Sequence, residues 1–193
     1  MAKTTLKSLS DALAARLTKG ALPGELQGFG KKERQEAATF VAATAEARPP
    51  GTAVLALEPV SGTDPNRRMR LAIVNDDMPF LVDSIAATIG AHGVVIDRII
   101  HPVLCVTRDA EGALTAVGGA DKDGDGVAGG LPESMIYIEM ERADARERKE
   151  LVAALERNLA DVRSAVADWQ AMQDVMAADA ASLGDSEGAA LLR

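Results

Sequence analysis

Asn75-Asp76-Asp77-Met78-Pro79-Phe80-Leu81-Val82-Asp83-Ser84 is the stretch on which the reading of this chain turns. The apolar run Leu71-Ala72-Ile73-Val74 leads into it, and a second run, Ile85 to Ile89, leads out. The pattern predicts a strand, a tight acidic turn and a helix started by Pro79. Proline is tolerated in a first helical turn because its missing N–H would have no partner there. Asp76 or Asp77 is placed to cap the free N–H groups of that turn.

Upstream, Ala53 to Pro59 alternates, with Leu55 and Leu57 on one face. Ser61-Gly62-Thr63-Asp64-Pro65-Asn66 is a loop by composition, and Arg70 to Asn75 is the next strand. Two alternating runs joined by a turn-rich loop predict an antiparallel hairpin. Further upstream lie two helices. Leu6, Leu9, Leu13 and Leu17 recur at helical spacing, and Gly20, Pro23 and Gly24 end that helix. Lys31 to Ala47 forms the second, stopped by Pro49-Pro50-Gly51.

Downstream, Pro79 to His92 is a helix that buries Leu81, Val82, Ile85, Ala86 and Ile89. Gly93 terminates it, and His92 is a partner for the negative end of its dipole. Val94 to Thr107 is a long strand, in which Pro102 demands an edge position or a bulge. Ala110 to Pro132 is a Gly- and Asp-rich loop with a short hairpin tip at Leu114 to Val117. Met135 to Glu141 alternates, with Ile136, Ile138 and Met140 inward. Asp144 then caps a long helix whose stripe runs Leu151, Leu155, Leu159, Val162, Val166, Trp169, Met172 and Met176. The first part, Leu151 to Val162, covers a sheet of this size, so the outer part, Val166 to Met176, should seek another domain or subunit. The chain thus divides into an N-terminal helical segment (1–48), a compact unit with the long helix (49–180) and a flexible tail (181–193).

Composition narrows the function. The 193 residues are 47% hydrophobic but only 3% aromatic, so the core is aliphatic. A net charge of -8 argues against nucleic acid as a partner, because phosphate binding needs a basic footprint. No apolar run reaches bilayer length, the start lacks a signal-peptide core, and the single cysteine, Cys105, suits a reducing cytoplasm.

The acidic turn, the later Ile99-Ile100-His101-Pro102-Val103 and then Glu133-Ser134-Met135-Ile136-Tyr137-Ile138-Glu139 occur in an order that resembles the N-terminal segment of the large bacterial NAD-specific glutamate dehydrogenases. The resemblance spans roughly Arg48 to Met172. It implies an α+β, ferredoxin-like (ACT-like) antiparallel sheet with helices on one face. It also implies a regulatory and assembly role without catalytic residues. The whole enzyme would deaminate L-glutamate to 2-oxoglutarate with NAD bound elsewhere, so no cofactor is expected in this segment. Other domains of the same enzyme, a homo-oligomer and an amino-acid effector are the partners implied.

A ferredoxin-like unit ends in a strand lying antiparallel beside its first. None follows the last helix here, so Ala53 to Pro59 is expected to take that slot as a permuted edge strand. The second face of the sheet, assigned Ala72, Val74, Val103 and Cys105, is too apolar for water and calls for a partner sheet, helix or subunit. ACT domains bind amino acids where the first strand turns into the first helix, which makes Asp76, Asp77, Met78 and Phe80 the candidate effector site. The family's Gly after Pro is Phe80 here, and Phe80 is expected in the core, anchoring the helix start.

Other motifs carry less. Gly124-Asp125-Gly126-Val127-Ala128-Gly129 fits G-x-G-x-x-G, but Gly130 and Pro132 follow instead of a helix, so a dinucleotide site is not expected. Asp121 to Gly126 fits the first half of a calcium loop, but Pro132 stands where the bidentate Glu belongs. His101 and Cys105 share a strand face about 13 Å apart, too far for a thiol–imidazole pair. No metal site is expected. A stand-alone oligomerisation module, and a small hydrolase using the carboxylates near Asp77, are the alternatives.

Overall fold

The structure, a computed structural model, describes residues 2–16, 28–60, 68–118, 127–184 and 186–192. Among the described residues, five helices and six strands follow one another as α1 (Ala2–Arg16), α2 (Lys31–Thr44), β1 (Val54–Pro59), β2 (Met69–Asp76), α3 (Leu81–Ala91), β3 (Ile96–Ile100), β4 (Val103–Arg108), β5 (Leu114–Val117), β6 (Leu131–Met140), α4 (Ala145–Ser182) and α5 (Glu187–Leu192). The strands form one antiparallel sheet in the order β1-β2-β6-β4-β5, with β3 also paired to β6.

β1 lies antiparallel beside β2, with Val54 opposite Val74 and Leu57 opposite Leu71. On its other side β2 meets β6 over its whole length, from Met69 opposite Met140 to Asp76 opposite Glu133. The slot of a last ferredoxin-like strand is therefore filled by β1, as the alternation of Ala53 to Pro59 predicts. β3 and β4 are one strand interrupted at His101-Pro102. Ile100 faces Tyr137 and Val103 faces Ser134, so the register against β6 carries straight across the break. Pro102 lacks a donor, but its carbonyl accepts from the Met135 N–H (2.9 Å). The expected hairpin tip at Leu114 to Val117 is strand β5, paired with β4.

Both faces of the sheet are buried. One face presents Met69, Leu71, Ile73, Ile136, Ile138 and Met140 to α3 and α4, whose Leu81, Ile85, Ile89, Leu151, Leu155 and Leu159 complete a dry aliphatic layer. Full burial of such a side chain is worth about 1.5–3 kcal/mol, so this layer anchors the unit. The other face presents Ala72, Val74, Leu104, Val106, Met135 and Tyr137, and it is covered by α1 and α2 of the same chain through Leu9, Leu13, Phe40 and Val41. The cover that the second face needs is thus supplied internally, by helices. Leu104 and Val106, rather than Val103 and Cys105, share the face of Ala72 and Val74. Arginines that reach into this layer lie on aromatic rings: Arg70 sits 4.5 Å from the Phe40 centroid and Arg98 4.4 Å from that of Phe29.

α3 begins at Leu81, two residues later than a start at Pro79, and its N-cap is Phe80. Its buried residues are Leu81, Ile85 and Ile89, while Val82 is only partly buried. His92 is its C-cap residue, with Nδ1 2.9 Å from the Thr88 carbonyl. Asp144 caps α4 in a capping box with Glu147, as expected. α4 runs unbroken for 38 residues, about 57 Å at 1.5 Å per residue. The stretch expected as a flexible tail contains α5, which packs back on α4. Leu17, Gly20, Pro23 and Gly24, the loop Ser61 to Asn66, and the motifs over Asp121 to Gly126, including the first half of the Gly-rich run, lie outside the described residues.

Candidate functional site

β2 ends in Asn75 and Asp76, and the ladder sets Asp76 opposite Glu133 of β6. Two carboxylates facing each other across a sheet repel, and Glu133 is only 1% exposed. Cations from distant parts of the chain resolve the conflict. Arg48, which follows α2 and is 4% exposed, donates from Nη2 to Glu133 Oε1 (2.7 Å) and to Asp76 Oδ1 (2.6 Å). Arg108 of β4 grips Glu133 with both prongs, Nε to Oε1 at 2.7 Å and Nη2 to Oε2 at 2.8 Å. This is the planar fork geometry that makes arginine–carboxylate pairs strong. Arg163 of α4 donates to Asp76 Oδ2 (2.5 Å) and to the Asn75 side-chain oxygen. Spare guanidinium donors reach backbone carbonyls, Arg48 to Thr52 (2.9 Å) and Arg108 to Ala45 (2.9 Å) and Gly112 (2.8 Å).

Burial by itself would lower the Arg48 pKa, but the bonds and charge of Glu133 and then Asp76 outweigh it and raise it above the ordinary guanidinium value. Burial likewise opposes ionisation of Asp76, yet the bonds from Arg163 and Arg48 win and hold its carboxyl below the usual range. Both groups are locked in their charged forms.

Beside this cluster runs a second chain of bonds. The Ser134 hydroxyl donates to Asp77 Oδ1 (2.7 Å), and His101 Nε2 lies 2.8 Å from the same hydroxyl oxygen. With the Ser134 proton given to Asp77, Nε2 is the protonated nitrogen of a neutral His101. Burial pushes the His101 pKa down, against a smaller upward pull from Asp77. Serine, histidine and aspartate thus meet, but serine is the middle member and is fully buried. A nucleophilic serine must pass its proton to histidine and reach a substrate; Ser134 does neither. Of the carboxylates in this stretch, Asp76 is taken up by arginine and Asp77 by Ser134, while Asp83 is exposed on α3.

Of the candidate effector residues, Asp76 and Asp77 are therefore engaged within the fold. Neither caps α3, which has no side-chain cap. The Asp77 N–H instead donates to the Pro132 carbonyl (3.1 Å). Met78 lies 4.0 Å from the Asn75 amide nitrogen through its sulfur. Phe80 is 63% exposed, which overturns the expectation of a core anchor. It is also the one non-glycine among the described residues with positive φ, at 68°. The left-handed region costs an L-residue roughly 1–2 kcal/mol, and glycine is the residue that would occupy it without that cost. The backbone keeps the glycine conformation and the ring is turned outward.

His101 and Cys105 do not pair: His101 bonds Ser134, and Cys105 is buried. Among the described residues no group of His, Cys, Asp and Glu could hold a metal ion, and no helix is long and apolar enough to cross a membrane. Sequence reasoning missed Arg48, Arg108, Glu133 and Arg163 as a unit. The available signal was Glu133, an acid just ahead of the apolar run Met135 to Ile138.

A family model described as "Glutamate dehydrogenase, ACT1 domain" matches residues 13–159, and so includes α2 and the last turn of α1. The NAD-specific glutamate dehydrogenase of Halomonas elongata is 36% identical over 104 residues, which is 53% of this chain and 6% of that protein. The one from Pseudomonas aeruginosa is 34% identical over 102 residues, 52% of this chain and 6% of that protein. The chain spans only a small part of the length of these curated relatives. Since the family match covers most of the chain, and the sheet has the expected ferredoxin-like order with its permuted edge strand, the chain belongs to the glutamate dehydrogenase ACT1 domain family.

Proposed function

We propose that this chain is the regulatory and assembly segment of an NAD-specific glutamate dehydrogenase, and that it carries no catalytic residue of its own. The whole enzyme oxidatively deaminates L-glutamate to 2-oxoglutarate with NAD in the cytoplasm. Its first partners are other domains of the same polypeptide, and its assembled form is a homo-oligomer. The observation that carries the reading is the closed charge cluster on a scaffold of this family. Asp76 and Glu133 are saturated by Arg48, Arg108 and Arg163, so the most ionic point of the unit fixes structure rather than reacts.

Neither of the two helix starts that follow a strand of the sheet suits NAD. The β2–α3 connection is acidic and has no glycine, where a pyrophosphate needs a glycine turn and free N–H groups at a helix start. The β6–α4 connection ends in Asp144, whose carboxylate already occupies the first N–H groups of α4. This supports NAD binding in another domain. An amino-acid effector at the turn would meet Met78, Phe80 and the α3 N-terminus rather than the two aspartates.

Two measurements test the reading. The isolated chain should show no glutamate-dependent reduction of NAD, and calorimetric titration with NAD should give no heat of binding, whereas the full-length polypeptide should turn over. Micromolar NAD binding by the isolated chain, or no turnover by the full-length polypeptide, would overturn it. Titration with a panel of amino acids separates an effector-binding segment from an assembly module.

A further inference from the structure

The stripe of α4 does not end where the sheet ends. Leu155, Leu159 and Val162 are buried under the sheet, and Val166 still packs against that layer. Beyond it Trp169, Met172, Val175, Met176 and Leu183 are 41% to 60% exposed. Trp169, Met172, Met176 and Ala180 line an open groove of about 500 Å³ along the helix. α5 packs back on α4, where Ala180 and Ala189 are both buried, and the groove beside it stays open. Four large apolar side chains exposed on one helix, with Leu183 at its C-cap, mark an interaction surface.

Charge selects the occupant. Residues 164–192 contain Asp168, Asp174, Asp179, Asp185 and Glu187 and no lysine or arginine. A second copy is disfavoured, because parallel pairing sets each acid beside itself, and antiparallel pairing about the groove sets Asp168 near Asp179. Like charges brought together across an interface are costly. We infer that this face is the seat of an amphipathic helix from the remainder of the same polypeptide, apolar on one side and flanked by lysine or arginine. The inference rests on the dehydrogenase reading: in the relatives the matched stretch is 6% of the protein, so most of such an enzyme lies outside this chain. It names the surface through which the segment joins the rest.

The test places a photo-crosslinking residue, Met172→p-benzoylphenylalanine, in the full-length enzyme and maps the adducts by mass spectrometry. Crosslinks should fall beyond residue 193 of the same polypeptide, in a helical segment with basic flanks. Met176→Glu, and separately the pair Asp168→Lys with Asp179→Lys, should cut the yield about tenfold or more, as loss of roughly 1.4 kcal/mol of binding would. These side chains are exposed, so circular dichroism of the isolated chain should not change. Trp169 is the sole tryptophan of the isolated chain, and its emission there should be that of a wet indole in a monomer. Adducts within residues 1–193 of another copy, adducts on an acidic segment, no adduct at all, or a dimer of the isolated chain with blue-shifted Trp169 emission would each overturn the inference. Glutamate turnover by the unmodified enzyme reports separately on the dehydrogenase reading.

Discussion

Replacing Phe80 by glycine and by alanine tests whether the turn before α3 is held in a glycine conformation by a residue unsuited to it. Either change removes the ring. Complete burial of a phenylalanine is worth up to about 3 kcal/mol; at 63% exposure only about a third of that, near 1 kcal/mol, is at stake. Glycine also removes the Cβ that makes φ 68° costly, a gain of about 1–2 kcal/mol. Against this stands the extra freedom of glycine in the unfolded chain, about 0.4–1 kcal/mol. Phe80→Gly should therefore leave stability within about 1 kcal/mol of the parent, a melting shift of no more than roughly 2–4 °C for a chain of this size. Phe80→Ala keeps the strain and loses the ring. It should be the less stable of the two by about 1 kcal/mol, by the same left-handed penalty net of glycine's entropy. At an ordinary helix or strand position that order is reversed. Thermal melts of the three proteins followed by circular dichroism read both quantities. A glycine variant less stable than the alanine variant would refute the backbone argument. A loss of about 3–5 kcal/mol in both, the cost of truncating a core aromatic, would refute the outward placement of the ring.

Glu133→Gln should be severe. It keeps the volume but leaves Arg48 and Arg108 buried around a neutral amide, and breaking a buried pair from one side typically costs about 3–5 kcal/mol. The urea midpoint should fall with an unchanged slope, and a change below 1 kcal/mol would show that the cluster is wetter than described. The pH dependence follows from two depressed groups. The folded-state pKa of Asp76 lies below its unfolded value, so its contribution is complete above about pH 4 and is lost as pH falls through the lower folded value. Asp76→Asn should weaken the acid dependence of stability in that window, and an unaltered acid limb would count against the pairing with Arg48 and Arg163. His101 is held neutral by burial, so its contribution is complete above about pH 6.5 and declines as pH falls below that. An NMR titration of its ring should inflect below the ordinary imidazole value; an inflection above it would mean that Asp77 outweighs burial.

The parts of this fold visible in the sequence are those with local periodicity. β1 and β2 show as the apolar runs Val54 to Leu57 and Leu71 to Val74 on either side of a turn-rich loop, the α3 and α4 stripes recur at three and four, and Asp144 with Glu147 forms a legible cap. The phase of β4 was not legible because Val103-Leu104-Cys105-Val106 is apolar throughout. In a sheet buried on both faces, period two carries no information about which residue points where. Phe80 misled for a related reason. Hydrophobicity argues for the core, whereas its place is set by a backbone dihedral that no side-chain pattern records. The charge cluster was hidden by separation: Arg48 and Glu133 are 85 residues apart, and Asp76 and Arg163 are 87. Each in isolation is an ordinary surface charge.

What the separation achieves is visible only in three dimensions. Asp76 ends a strand that is buried on both sides, and it accepts from a guanidinium on each side. Arg48 arrives from the segment that leaves α2, the layer over one face; Arg163 arrives from α4, the layer over the other. Glu133 then fixes Arg48 and Arg108 to the neighbouring strand. Apolar packing alone would allow α4 to slide by a turn along an aliphatic face, because one leucine or isoleucine replaces another at small cost. The two bonds from Arg163 oppose that slip, since moving it would leave Asp76 with Arg48 alone and take the donor from the Asn75 side-chain oxygen. They act at the point where α4 leaves the sheet, one turn after Leu159 and just before Val166. The acidic pair thus sets the register of the helix, and with it the place and direction in which Trp169, Met172 and Met176 are presented.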